Sequence, residues 1–191
     1  MVVQSHLYLA SILNKELNKN GYKVNKKNFY YGNIKPDIIA KFKKHPHKIT
    51  SSLDFIMEEI QNLSTFGNII SLKEFSIQLG VICHYVTDFF TYVHNSDYHG
   101  SLSKHLKYEL KLNTNLKTMV KDLSRANIFI MPNISKSIKE FKNYLLKMHD
   151  KYMNEEVTFI KDFSYAIAAC TSLCLTVFSL LSAINMPLAM S

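Results

Sequence analysis

Hydrophobic residues recur at three- and four-residue steps along most of the chain, a pattern that predicts helices. The first predicted helix starts near Ser5 and ends in a lysine- and asparagine-rich stretch at 18–21. Further helices are predicted over 51–60, 72–92, 109–125 and 135–154. The 191 residues are enough to bury a core without disulfides. We therefore expect an all-α fold, with a single compact multi-helix domain over residues 1–191.

Local signals predict where these helices are interrupted. In the segment 28–37, NFYYGNIKPD, we expect Gly32 and Pro36 to stop an aromatic run and to place Asp37 at a turn. The basic segment 41–48, KFKKHPHK, is predicted to be a loop. Either Ser51 or Ser52 is predicted to cap the next helix, and Ser135 a later one after a break over 126–133.

The segment 163–184 contains no charged residue and is long enough to cross a bilayer. Its small polar residues nevertheless fall on one side of a helical wheel, which favours a helix packed inside the protein over a membrane anchor. These residues are Ser164, Thr171, Ser172, Thr176, Ser179 and Ser182.

The formal net charge is +8, and Arg125 is the only basic residue counted in it that is not lysine. Such a surface attracts phosphates of lipids and nucleic acids alike. Sequence-specific reading of bases normally uses arginine, so nucleic acid is the less favoured partner. Cys83, Cys170 and Cys174 lie in apolar surroundings and are predicted to be reduced core residues. The first residues lack a secretion signal, so we expect a cytoplasmic protein, with peripheral membrane attachment and leaderless secretion as alternatives.

Candidate chemistry is concentrated in residues 84–109, which contain two His–carboxylate pairs. His84 and Asp88 are four residues apart, as are His105 and Glu109, so each pair projects from one helical face. His94 lies at the turn between them. One such pair usually means a surface ion pair. Two pairs flanking a third histidine, the first pair among apolar residues, favour a metal site of the kind that zinc selects.

In the order and spacing of these residues, the chain resembles the zinc-dependent phospholipase C family. The all-helical fold of this family is related to that of the single-strand-specific zinc nucleases. The matching residues are Ser5 and His6, the GNIKPD segment ending at Asp37, Pro46 and His47, His84 and Asp88 in HYVTDFF, His94, and His105 and Glu109 in HLKYE. Taken alone, His6 in a first helical turn is typical of a cap or surface residue. The resemblance makes it a candidate ligand, and it favours His47 over His45 because His47 follows the proline.

The resemblance implies a phosphodiester hydrolase in which zinc neutralises the phosphate and activates a water molecule. Asp37 would be the catalytic carboxylate that orients or deprotonates this water. Two zinc ions are expected, and a third is left open. The implied ligands are Asp37, His47, His84 and Asp88 for one zinc, His94, His105 and Glu109 for a second, and His6 with Asp88 for a third.

Two features depart from the family. Secreted members bind the third zinc through an N-terminal tryptophan, and this sequence contains no tryptophan. If Met1 is removed, the amine of Val2 would be the group that approaches the same place. The chain is also short, and we expect no counterpart in it of the membrane-binding β-domain of some toxin members.

The resemblance therefore predicts a phospholipase C acting on phospholipid headgroups or on another phosphodiester, with peripheral membrane contact. Glu109 favours this reading, because the related nucleases usually have aspartate at that position of the motif. A single-strand nuclease or nucleotidase is the alternative, and Phe29, Tyr30, Tyr31 and Tyr92 would then be candidate base-stacking residues. A third alternative is a zinc-stabilised binding protein with little turnover. No sequence feature indicates a protein partner.

Overall fold

The computed structural model describes residues 1–126 and 131–184. Within these two segments the protein has seven α-helices, two short 3₁₀-helices at Ala40–Lys44 and Tyr92–His94, and no β-strand. The all-α prediction is therefore confirmed. The α-helices are α1 (Val3–Lys19), α2 (Lys26–Ile38), α3 (Ile49–Phe66), α4 (Leu72–Phe89), α5 (Leu102–Ala126), α6 (Ile138–Met153) and α7 (Phe159–Ile184).

Helix α4 is the centre of the fold, in contact with α1, α2, α3 and α7. Its start is fixed by Ser71, whose side chain accepts a hydrogen bond from the Glu74 N–H at 3.1 Å. From Leu79 to the end of the helix every residue is buried. Because His84 and Asp88 lie in this buried half, the fold carries their polar side chains into the interior of the protein.

The break predicted at Gly32 and Pro36 is wrong, because α2 runs through both residues. Gly32 lies against Gly80 of α4, and a Cβ on either glycine would collide with a backbone carbonyl of the other helix. The glycine is therefore there for close helix packing, and it does not end the helix. Pro36 lies in the last turn, where the Ile39 N–H still bonds to the Lys35 carbonyl at 3.0 Å. As a result Asp37 lies on the end of a helix and not at a turn.

This close contact predicts a strong effect of a single methyl group. In Gly80→Ala the new Cβ would meet the Phe29 carbonyl and the Gly32 Cα, both of them backbone atoms that cannot rotate away. We expect the free energy of unfolding to fall by about 2 kcal/mol, as in other overpacked interiors. Urea denaturation measures it. Gly21→Ala cannot serve as the control, because Gly21 has a positive φ of 78°. The control is Ser103→Ala, which places alanine on the exposed face of α5 and should change the free energy of unfolding little.

Two predicted caps are also wrong. Helix α3 begins at Ile49, so Ser51 and Ser52 lie in its first turn, and the buried Ser52 hydroxyl donates to the Pro46 carbonyl at 2.5 Å. Helix α6 is capped by Ser137 rather than Ser135, through a bond from the Glu140 N–H at 3.1 Å. The break predicted over 126–133 falls partly at 127–130, outside the described residues.

Helix α7 is long and apolar enough to cross a membrane, but 67% of its most apolar stretch is buried inside the protein. Its polar stripe bonds to neighbouring chain: Ser172 accepts from the Asn133 N–H at 2.9 Å and Thr176 from the Ser135 N–H at 3.0 Å. This burial supports the packed-helix interpretation. The three cysteines are buried and unpaired as predicted, with Cys83 on α4 and the other two on α7.

Candidate metal centre

The eight predicted site residues lie in one region of the protein although they come from six separate segments. Helix α1 supplies His6, α2 supplies Asp37, and the loop before α3 supplies His47. Helix α4 supplies one His–carboxylate pair, α5 supplies the other, and His94 ends the second 3₁₀-helix. Five of them line an open cleft of about 460 Å³, and His6, His84 and Asp88 lie buried beneath it. The cleft is lined by Met1, Val2, Val3, Gln4, Asp37, His47, His94, His105 and Glu109.

Asp88 lies at the centre of this arrangement and is fully buried. Its Oδ2 lies 2.8 Å from His47 Nδ1 and 3.5 Å from His84 Nε2. Its Oδ1 lies 3.5 Å from His6 Nε2 and 3.7 Å from His94 Nε2. The two oxygens of one carboxylate therefore face different sets of histidines, which is the arrangement of a bridging ligand.

The potential ligand atoms form three groups, and within each group they lie within 4.8 Å of one another. In the part of the chain that the structure describes, these groups contain the eight predicted residues and no others. One difference from the implied sets is that Asp37 groups with His6, whereas the resemblance pairs His6 with Asp88. The groups are His6, Asp37 and His84; His47, His84 and Asp88; and His94, His105 and Glu109.

His6 tests whether these residues fit a metal. Its side chain is fully buried and stacked on His84 with ring centroids 3.9 Å apart, so it is not a surface residue or a cap. Among the described residues neither of its ring nitrogens has a hydrogen-bond partner. A buried imidazole without a hydrogen bond is costly. Coordination of a metal would satisfy it, and imidazole nitrogens with carboxylate oxygens are ligands that zinc accepts.

The orientation of His84 is set by α2. Its Nδ1 lies 2.8 Å from the carbonyl oxygen of Asn33, which can only accept, so Nδ1 carries the proton. Nε2 is then left unprotonated and faces Asp37 and Asp88. Such a bond from the second ring nitrogen is the usual support of a metal-binding histidine. Sequence reasoning missed Asn33, because a backbone carbonyl leaves no side-chain pattern.

Charges in the metal-free chain favour the protonation states that a metal requires. Burial raises the pKa of Asp88, but the nearby His94, the Met1 amine and His6 outweigh it and hold this pKa well below its usual range. Burial, followed by the charge of His6, lowers the pKa of His84 well below its usual value. Asp88 is therefore ionised and His84 neutral, which are the metal-binding forms of these side chains.

Asp37 is the most accessible carboxylate at the cleft, with 26% of its side chain exposed. Its Oδ1 lies 3.5 Å from His84 Nε2 and 3.9 Å from His47 Nδ1. Burial and then the charge of Asp88 raise the pKa of Asp37. His45, the other histidine of the loop that carries His47, is not at the cleft. Its ring stacks on that of Phe55, with ring centroids 3.8 Å apart.

The amino group nearest the centre is that of Met1, in the place expected for Val2. It lies 2.5 Å from Asp88 Oδ1 and 3.2 Å from Glu109 Oε1. Burial lowers the pKa of this amine, but the charges of Asp88 and Glu109 raise it more, so the net shift is upward. In a chain that starts at Met1 the amine thus neutralises part of the negative charge of the centre.

Asp162 of α7 is a buried carboxylate outside the predicted set, and it supports the segments that carry His94 and Glu109. It accepts hydrogen bonds from the Tyr152 hydroxyl at 2.7 Å, the Tyr108 hydroxyl at 2.9 Å and the Tyr92 N–H at 3.0 Å. Tyr92 opens the 3₁₀-helix that ends in His94, and Tyr108 precedes Glu109. Asp162 therefore joins the two segments that carry these residues. The signal in the sequence was a lone acid at the start of an apolar helix.

A comparison with protein families agrees with the geometry. The model of the family described as zinc dependent phospholipase C matches residues 5–159, a range that includes all eight candidate ligands. No curated protein and no solved structure gave a significant match. The family model covers most of the chain, and the resemblance predicted from the motifs is confirmed. The chain therefore belongs to the zinc-dependent phospholipase C family, a family of hydrolases.

Proposed function

We propose that the protein is a phospholipase C that hydrolyses the phosphodiester of a phospholipid and releases diacylglycerol and the phosphorylated headgroup. The observation that carries this proposal is the assembly of five histidines and two further carboxylates around Asp88, beside an open cleft. Membership of the family gives the reaction class. The cleft gives the substrate access to the residues that would perform it.

The proposed zinc ligands are the eight residues of the three groups. Bound zinc would neutralise the phosphate charge and make water at the site more acidic. Within the chain, Asn33 holds the ring of His84, and Asp162 holds the segments bearing His94 and Glu109. Asp37, on the accessible rim, orients the attacking water and accepts its proton. The water oxygen bonds to phosphorus as the bond between phosphorus and the glycerol oxygen breaks, and the glycerol oxygen takes up a proton from solvent to give diacylglycerol.

Two observations favour a lipid substrate over single-stranded nucleic acid. Phe29 is fully buried, and Tyr92 packs against Tyr98 and Tyr108 with ring centroids 5.5 and 5.6 Å away. These two predicted stacking residues are therefore occupied by the fold. The openness of the site in turn favours catalysis over a purely structural zinc site, which is normally closed.

Zinc removal tests the proposed function. Untagged protein should contain zinc, hydrolyse a chromogenic phosphocholine ester and release diacylglycerol from phosphatidylcholine. Treatment with 1,10-phenanthroline should abolish both reactions, and added zinc should restore them, because the phosphate loses its neutralising charge without metal. Elemental analysis and chromatography of the lipid products provide the measurements.

Each alternative gives a different result in the same assays. Zinc-dependent cleavage of single-stranded DNA without release of diacylglycerol would assign the site to a nuclease. Bound zinc that raises the melting temperature, without turnover of either substrate, would assign it to a zinc-stabilised binding protein.

A further inference from the structure

Helix α5 carries an exposed stripe of leucines. Leu102, Leu106 and Leu110 are 84%, 51% and 50% exposed. They follow one another at four-residue steps, so they share one face of the helix. Three large apolar side chains in a row on the surface mark a contact surface more often than three scattered ones would. We call Leu102, Leu106 and Leu110 the leucine stripe.

The leucine stripe borders the candidate metal centre. His105 and Glu109 line the cleft, and each is followed directly by a leucine of the stripe, Leu106 and Leu110. One residue corresponds to a rotation of about 100° around the helix axis. The stripe therefore lies beside the cleft-facing side of α5, along the edge of the cleft.

The charge around the stripe is positive. Three exposed lysines of α5 lie on the far side of the stripe from the cleft. They are Lys104, Lys107 and Lys111. From Leu102 to Leu116 the only acidic residue is Glu109, and it faces the metal centre. An apolar strip with lysines along one side is typical of helices that lie in the interface of an anionic bilayer.

We propose that the leucine stripe and these three lysines dock the protein on an anionic phospholipid bilayer, with the cleft facing the lipid. This inference rests on the proposed function, because it brings the metal centre to the headgroups that are its substrate. The leucines enter the interface, and the lysines pair with anionic headgroups. A protein partner fits less well, since lysine is depleted in protein interfaces and a second copy of this helix would bring like charges together.

Vesicle binding tests the docking surface separately from catalysis. The zinc-loaded protein is sedimented on ice with vesicles of phosphatidylcholine and phosphatidylglycerol in equal parts, and with vesicles of phosphatidylcholine alone. The triple variant L102S/L106S/L110S is expected to lower the partition coefficient for the mixed vesicles about tenfold or more. K104Q/K107Q/K111Q should weaken the same binding and remove much of its salt dependence.

A second exposed apolar group provides a matched control. Phe66, Ile69 and Leu72, at the connection of α3 and α4, are 53%, 80% and 52% exposed. The triple variant F66S/I69S/L72S removes similar apolar area and should keep wild-type vesicle binding. Melting temperatures of all three triple variants show whether a loss of binding reflects unfolding.

Several results would overturn the docking surface. These are wild-type protein that does not sediment with the mixed vesicles, equal loss in both serine triples, or binding independent of phosphatidylglycerol. A dimer that dissociates on loss of the leucine stripe would assign the face to a second copy. Hydrolysis of the soluble phosphocholine ester separates the two proposals. Wild-type turnover without vesicle binding rejects the docking surface alone, whereas vesicle binding without turnover rejects the proposed function and leaves docking standing.

Discussion

Replacing Asp88 with asparagine is expected to release zinc and to lower phosphodiester hydrolysis by at least about a hundredfold. Loss of a residue that merely supports a metal ligand lowers metal affinity or activity about ten- to a hundredfold. Asp88 contacts the histidines directly, so its loss should have a larger effect. Its two oxygens face different sets, His47 and His84 on one side, His6 and His94 on the other. Asparagine has one oxygen and no charge, so it can serve only one set.

Zinc per chain by elemental analysis and turnover of the phosphocholine ester measure this effect. The matched control is Asp97→Asn, at the exposed turn that follows His94. It removes the same charge outside the cleft and should keep full zinc content and activity. If Asp88→Asn retained both at the wild-type level, Asp88 would not be a bridging ligand. The proposed ligand sets would then have to be redrawn.

The sequence predicted those helices whose signals are local. Helix α4 was predicted from its apolar periodicity, and α1 from its regularly spaced leucines. Helix α2 was missed because Gly32 and Pro36 locally indicate a break. Gly32 instead allows α2 to pack closely against Gly80, about fifty positions further along the chain. A contact between two glycines is invisible to periodicity, which counts only apolar side chains.

The same distinction between local and distant applies to the site. The pairs His84–Asp88 and His105–Glu109 were predictable because each lies within one helical turn. The convergence of His6, Asp37 and His47 on them is a tertiary fact, and only the resemblance to a family anticipated it. The buried state of His6 illustrates this: one histidine in a first turn gives no local reason to expect it in the interior.

Asp162 was missed for a related reason, since its partners are three aromatic residues scattered over two other helices and a turn. Burial raises the pKa of Asp162 to about 6, so at neutral pH it is mostly ionised and accepts all three hydrogen bonds. Two of these bonds end one and two residues from Glu109 and His94. We therefore expect Asp162 to be a positioning residue that acts on the candidate metal centre through Tyr92 and Tyr108.

Replacing Asp162 with alanine should lower both stability and zinc affinity. Three donors, the hydroxyls of Tyr152 and Tyr108 and the Tyr92 N–H, would lose their acceptor, at a cost of roughly 1 kcal/mol each, or about 3 kcal/mol in total. The segments bearing His94 and Glu109 would also lose their common anchor, and we expect zinc affinity to fall about ten- to a hundredfold. Urea denaturation of the metal-free protein and competition with a zinc-binding dye measure the two effects.

The two readouts distinguish positioning from a purely structural role. Asp162→Asn keeps an acceptor oxygen and should recover part of the stability and of the zinc affinity. Asp150→Ala removes an exposed carboxylate from the neighbouring helix α6 and should alter neither. If Asp162→Ala lost stability but bound zinc as tightly as the wild type, Asp162 would support the core alone. The geometry of His94 and Glu109 would then be set within the second 3₁₀-helix and α5, without help from α7.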